Sequence, residues 1–138
     1  MKQNQDLKKI LQNAKLKNTT PRMSVLKAFR TVHKPLTAQE LHKKLKKVRF
    51  DLVTLYRTLA SFEEKGIVRR VDLRKDTVYY ELNTDHHHHI ICTKCEKVED
   101  FENFEVEKTL EHIVRKSVNF RNVKSHALEI FGLCRECT

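Results

Sequence analysis

The sequence predicts an α+β chain built in two parts, and three observations carry that expectation. Four segments with helix-spaced apolar residues precede two strand-like runs, the charge changes sign after residue 82, and four cysteines fall into two Cys-x2-Cys pairs separated by 38 residues. The first part reads as a winged helix-turn-helix over residues 1–82 and the second as a small α/β domain over residues 86–138, with residues 83–85 as the hinge.

Leu7, Ile10, Leu11 and Ala14 recur at helical spacing in a polar opening segment, an amphipathic helix that needs a surface to lie on. After the break at Asn18-Thr19-Thr20, Thr20 can cap a second helix with Pro21 at its first position, and Val25, Leu26 and Phe29 then face inward as far as about His33. Thr37-Ala38-Gln39-Glu40 is a capping box for a third helix, which buries Leu41 and Leu45 and ends in the basic run 43–49. Asp51 caps a fourth helix, predicted over residues 51–65 and stopped by Gly66. Its stripe Leu52, Leu55, Leu59 and Phe62 faces inward. Val53, Thr54, Tyr56, Arg57 and Ser61 lie on the other side, where a helix facing water ordinarily carries charge, so this face suits a groove. Runs 67–72 and 77–82 form a hairpin around Leu73-Arg74-Lys75-Asp76. In the second part, runs 86–92, 97–101 and 123–131 read as strands, and 105–117 as a helix with Val106, Leu110, Ile113 and Val114 inward.

Residues 1–82 hold 20 Lys and Arg against 8 Asp and Glu, and residues 83–138 hold 8 against 10, which divides the chain's net +10 into +12 and −2. A positive field confined to one module draws polyanions there, and release of counterions from a nucleic-acid backbone is its commonest use. A solvated basic surface without a partner is the alternative. Gly66 and Gly132 are the two glycines, too few for a Gly-rich phosphate loop. The opening segment has no apolar signal core and no stretch reaches membrane-spanning length, so a cytoplasmic chain without a membrane partner is expected.

In a reducing compartment the cysteines point to metal before they point to disulfides. Two thiolates at this spacing can curl around one ion, and Cys92, Cys95, Cys134 and Cys137 together complete the closed tetrahedral shell that structural zinc prefers. Zinc would tie the second pair back to the first hairpin of its domain and substitute for core that so small a module lacks. A redox-active dithiol is the alternative. The run His86-His87-His88-His89 precedes the first pair. If it is extended, His86 and His88 point to one face and His87 and His89 to the other, so one run can serve two metal sites. Glu81, Asp100, Glu102, Glu107, His126 and His33 are available to complete them; solvated histidines with nonspecific metal affinity are the alternative. No His-Glu-x-x-His helix and no Ser/His/Asp ordering accompanies these ligands, and a closed thiolate shell leaves no place for substrate. No catalytic residues and no small organic substrate are therefore expected.

Thr20-Pro21-Arg22, the helix at 51–59, Tyr80-Glu81-Leu82, residues 86–95 followed by Glu99-Asp100-Phe101, and residues 126–137 resemble the ferric uptake regulator family, over the chain from about Leu7 to Cys137. The resemblance implies a metal-responsive DNA-binding repressor of metal-uptake or metal-homeostasis genes, working as a homodimer on a palindromic double-stranded operator, with the second part as its dimerisation domain. It implies structural Zn2+ on the four cysteines and regulatory Fe2+, Zn2+ or Mn2+ on Glu81, His87, His89 and Asp100. It further implies an additional site of His86, His88, Glu107 and His126, where members often carry Asp in place of His88; the extra imidazole makes the site richer in nitrogen. His33 is a further ligand candidate, although the family histidine usually falls where Pro35 stands. Tyr56 and Arg57 match positions that approach DNA and Lys17 a basic residue near the minor groove; Thr54 shares the outward face, and Arg22 is a candidate phosphate contact. Peroxide-sensing members share the loop spacing but carry Asp in place of Glu81, so a peroxide-sensing repressor is the alternative within the family and a zinc/thiol redox protein the alternative outside it. Val106, Leu110, Ile113, Leu128, Ile130 and Phe131 are candidates for the dimer contact or for internal core.

Overall fold

A computed structural model of the chain describes residues 2–32, 34–83 and 87–138. Backbone contacts divide it into two compact units, Met1–Asp85 and His86–Thr138.

The first unit runs α1 (Lys2–Asn13), α2 (Thr20–Thr31), the two-residue strand β1 (Leu36–Thr37), α3 (Ala38–Lys44), α4 (Leu52–Glu64), β2 (Val68–Val71) and β3 (Tyr79–Leu82). Leu7 and Leu11, one turn apart on α1, are buried in a core with Val25, Leu26 and Phe29 of α2, Leu41 of α3, and Leu55, Leu59 and Phe62 of α4. Each such side chain stabilises by about 1.5–3 kcal/mol, so α1 is held by the surface beneath it rather than by its own propensity.

Thr19, not Thr20, caps α2: its hydroxyl accepts from the Arg22 amide at 3.5 Å, and Thr20 is already helical. Of the two threonines it is the one that keeps the extended backbone a cap requires. The capping box of α3 forms as expected, with Thr37 Oγ1 accepting from the Glu40 amide at 3.1 Å and the Glu40 carboxylate accepting from the Thr37 amide at 2.9 Å. Asp51 accepts from the Thr54 amide at 2.8 Å to start α4, and Gly66, at φ 72°, ends it. The wing is an antiparallel sheet in the order β1-β3-β2, whose two-residue first strand the sequence alone does not predict. Leu36 pairs with Tyr80 and Thr37 with Tyr79, which fixes the α2–α3 connection to the wing.

The second unit comprises β4 (His88–Cys92), β5 (Val98–Phe101), α5 (Phe104–Arg115) and β6 (Glu129–Gly132). β4 is central, antiparallel to β5 and parallel to β6. His88, His89, Ile91 and Cys92 bury side chains on both of its faces. Two expectations need correction. The third strand is confined to Glu129–Gly132 rather than filling 123–131, because β4 starts at His88 and its register with β6 begins at the His89–Glu129 pair, leaving earlier residues no strand to pair with. On α5 the stripe predicted to face inward is only partly covered: Val106, Leu110 and Val114 are half-buried, and Ile113 is 58% exposed. Ile91 and Cys92 are the fully buried apolar side chains of this unit among the described residues, too little core to cover a helix face.

Candidate metal centres and nucleic-acid interface

Each cysteine pair sits on its own tight turn. Glu96 N–H donates to the Cys92 carbonyl at 3.0 Å to form the first knuckle, Cys137 N–H donates to the Cys134 carbonyl at 3.0 Å to form the second, and Thr93 N–H donates to the Gly132 carbonyl at 2.8 Å, joining them. All four sulfurs lie within 4.8 Å of one another, with Cys95 and Cys134 3.7 Å apart. A zinc ion bonded to sulfur at about 2.3 Å sets tetrahedral S···S separations of about 3.8 Å, so the donor set fits zinc; a disulfide would need about 2.05 Å. Backbone amides of Cys95, Cys134 and Lys94 lower the Cys92 thiol to about 6. The neighbouring Cys134 sulfur, then burial and the Cys95 and Cys92 sulfurs, push the Cys137 thiol up to about 12. Crowded thiols thus share protons until a cation offsets their charge.

Along β4 the imidazoles alternate. His88, 3% exposed, places Nε2 2.6 Å from Glu107 Oε1 of α5, and His126 Nε2 lies 3.2 Å from Glu107 Oε2, so one carboxylate bridges two imidazoles. His89, fully buried, places Nε2 3.7 Å from Asp100 Oδ1 and Nδ1 3.8 Å from Glu129 Oε1. The His87 ring stands edge-on to it, with centroids 4.9 Å apart. Imidazole and carboxylate donors of this kind suit zinc, iron or manganese. Glu81 lies in β3 of the first unit, buried and ion-paired with Arg69 across the β2–β3 ladder. His33 and His86 lie outside the described residues. Glu129 was not among the sequence-based candidates; its two-residue alternation with Phe131 marks a shared strand face but says nothing of a neighbouring histidine.

On α4 the outward face carries Val53 at 57% exposure, Tyr56 at 43%, and exposed Arg57, with Thr54 half-buried beside the Asp51 cap. Gln39 Nε2 donates to the Tyr56 hydroxyl at 3.1 Å, bracing the phenol against α3. Lys17 is exposed and its carbonyl accepts from Arg22 Nη1 at 2.8 Å, so Arg22 also ties the α1–α2 connection to α2.

A basic winged helix joined to a unit that holds a tetrathiol cluster, the His88–Glu107–His126 cluster and a buried His89 between two carboxylates defines a metal-binding protein of the winged-helix class. Residues 13–131 match the ferric uptake regulator family. The chain is 37% identical over 131 residues to the ferric uptake regulation protein of Bordetella parapertussis, covering 92% of this chain and 93% of that one. It is 30% identical over 129 residues to the peroxide-responsive repressor PerR of Staphylococcus epidermidis, covering 92% and 85%. The structure of the ferric uptake regulator from Francisella tularensis with iron superimposes with a TM-score of 0.74 at 34% identity, covering 88% of this chain and 94% of that one. The chain belongs to the ferric uptake regulator family.

Proposed function

We propose that this chain is a metal-responsive DNA-binding repressor of metal-uptake or metal-homeostasis genes, and that it performs no catalysis. The observation carrying this reading is the alternation on β4, where His88 meets Glu107 and His89 meets Asp100 beside a thiol cluster of zinc dimensions. Cys92, Cys95, Cys134 and Cys137 would hold zinc. His88, Glu107 and His126, with His86, form the additional site. Glu81, His87, His89 and Asp100 form the regulatory set, with His33 as a further candidate and iron or zinc as the first ions to test. A divalent ion bound there supplies positive charge that offsets the carboxylates and fixes each imidazole.

On this reading Glu81 would come from the first unit and the other regulatory donors from the second, so an ion taking all four would restrict the hinge expected at residues 83–85. That population presents Tyr56, Arg57 and Thr54 to the major groove, with Lys17 and Arg22 toward the backbone. A second copy of the chain is the natural cover for the exposed Ile113, Ile130 and Leu133 of the second unit, and the dimer would match the two half-sites of a palindrome. The test is operator binding by protein carrying zinc only on the cysteines, titrated separately with Fe2+, Mn2+ and Zn2+. Tight binding with one added ion is expected, and equal affinity with and without every ion removes the sensing claim. Similarity to PerR supports a second reading, peroxide sensing. It predicts an added oxygen on a ligand histidine after peroxide treatment of the iron-loaded protein, read by mass spectrometry.

A further inference from the structure

We infer that Glu129 is a positioning residue of the regulatory site: its carboxylate holds the Nδ1 proton of His89 and so presents Nε2 as the metal donor. The inference rests on the reading of His89 as a regulatory ligand, but its central observation is local to the second unit. His89 is fully buried, and the ladder sets it opposite Asp100 of β5 on one side and Glu129 of β6 on the other. The two ring nitrogens therefore face different carboxylates, Nε2 toward Asp100 at 3.7 Å and Nδ1 toward Glu129 at 3.8 Å.

A neutral imidazole carries one proton and one lone pair, and a metal takes the lone pair. Two tautomers are available. With the proton on Nε2, the bare Nδ1 would face the lone pairs of the Glu129 carboxylate inside the protein, where such repulsion is poorly screened. With the proton on Nδ1, that carboxylate becomes its acceptor, and the bare Nε2 faces Asp100 of the regulatory set at 3.7 Å, where water screens the half-exposed carboxylate better than it screens Glu129. The carboxylates also differ in access: Asp100 is 46% exposed, as suits a group that exchanges water for an ion, and Glu129 is 19% exposed. The Nδ1–Oε1 distance of 3.8 Å is about 1 Å beyond a hydrogen bond, so the Glu129 carboxylate must move closer when it accepts the proton. A carboxylate behind a ligating histidine orients the ring and raises its basicity, and removing it costs about 10- to 100-fold in metal affinity.

The experiment uses the full chain with zinc on its cysteines and no other ion, labelled with nitrogen-15. Long-range proton–nitrogen correlations of the His89 ring are expected to show the Nδ1–H tautomer. Mn2+ titration is expected to show binding weakened about 10- to 100-fold in Glu129→Ala and less than about 10-fold in Glu129→Gln, whose amide oxygen still accepts the proton. An Nε2–H tautomer in the unsubstituted chain, or unchanged Mn2+ affinity in Glu129→Ala, overturns the assignment. Should the unsubstituted chain bind no Mn2+, Fe2+ or Zn2+ beyond the cysteine zinc, the regulatory reading fails, and the tautomer still decides whether Glu129 holds the ring. It decides equally if Glu129→Ala does not fold.

Discussion

Removing the second cysteine knuckle by the paired substitution Cys134→Ser and Cys137→Ser is expected to unfold the second unit and spare the first. A cross-link between Cys95 and Cys134 closes a loop of 38 residues, which by chain entropy is worth about 4 kcal/mol. Ile91, with Cys92 one of the two fully buried apolar side chains of this unit among the described residues, contributes about 1.5–3 kcal/mol, so the cross-link outweighs it. The first unit draws on its own core across α1, α2, α3, α4 and the wing, with no cysteine in it. Amide hydrogen exchange read by mass spectrometry under reducing conditions separates the two. Protection in β4, β5 and β6 should fall by about a thousand-fold or more, while α2 and α4 keep theirs. Unchanged protection of β4–β6 in the zinc-free variant would refute the staple; simultaneous loss in α2 and α4 would refute the independence of the first unit.

Because amides hold the Cys92 thiol at about 6 against an ordinary 9.0, its contribution to metal-free stability is full above the ordinary value and disappears as pH falls through about 6. Thiolate absorbance of metal-free, reduced protein should accordingly show one sulfur ionising near pH 6, well before Cys137, and four equivalent titrations would contradict this. Thr37→Ala removes the cap of α3 and should lower the stability of the first unit by about 1 kcal/mol, measured as a shift of the urea midpoint. Gly66→Ala forces a side chain into the left-handed region at φ 72° and should cost about 1–2 kcal/mol by the same measurement. Arg57→Ala should weaken operator binding; if Arg57 contacts a phosphate, the slope of log K against log salt drops by about 1, and if it reads a base the slope holds while discrimination at one position relaxes.

What was legible in the sequence was local. The capping box at Thr37, the stop at Gly66, the Leu55-Leu59-Phe62 stripe and the two cysteine pairs each depend on neighbours a few residues away. β1 was not legible, because two residues become a strand only through pairing with Tyr79 and Tyr80, far along the chain. The reach of β6 depended on where β4 begins, a property of the partner strand. α5 reads as a core helix by periodicity, yet a periodic stripe records that a face wants covering and not which surface covers it; here Ile113 is bare in the single chain. Thr19 and Thr20 are chemically identical, and backbone conformation alone separates cap from first helical residue. The meeting of His89 with Glu129 arises from a parallel register no local pattern encodes.

The alternation of His88 and His89 across β4 makes that strand intolerant of length change. Inserting or deleting one residue between His89 and Cys92 would turn every side chain on one side of the edit to the opposite face. Either the bridging carboxylate of Glu107 would confront the wrong ring, or the first knuckle would swing away from its partner. Lengthening the stretch around Val118, which is 98% exposed and outside any strand, disturbs no such parity. Within this unit, then, drift in chain length should accumulate between α5 and β6 and be purged from the histidine run.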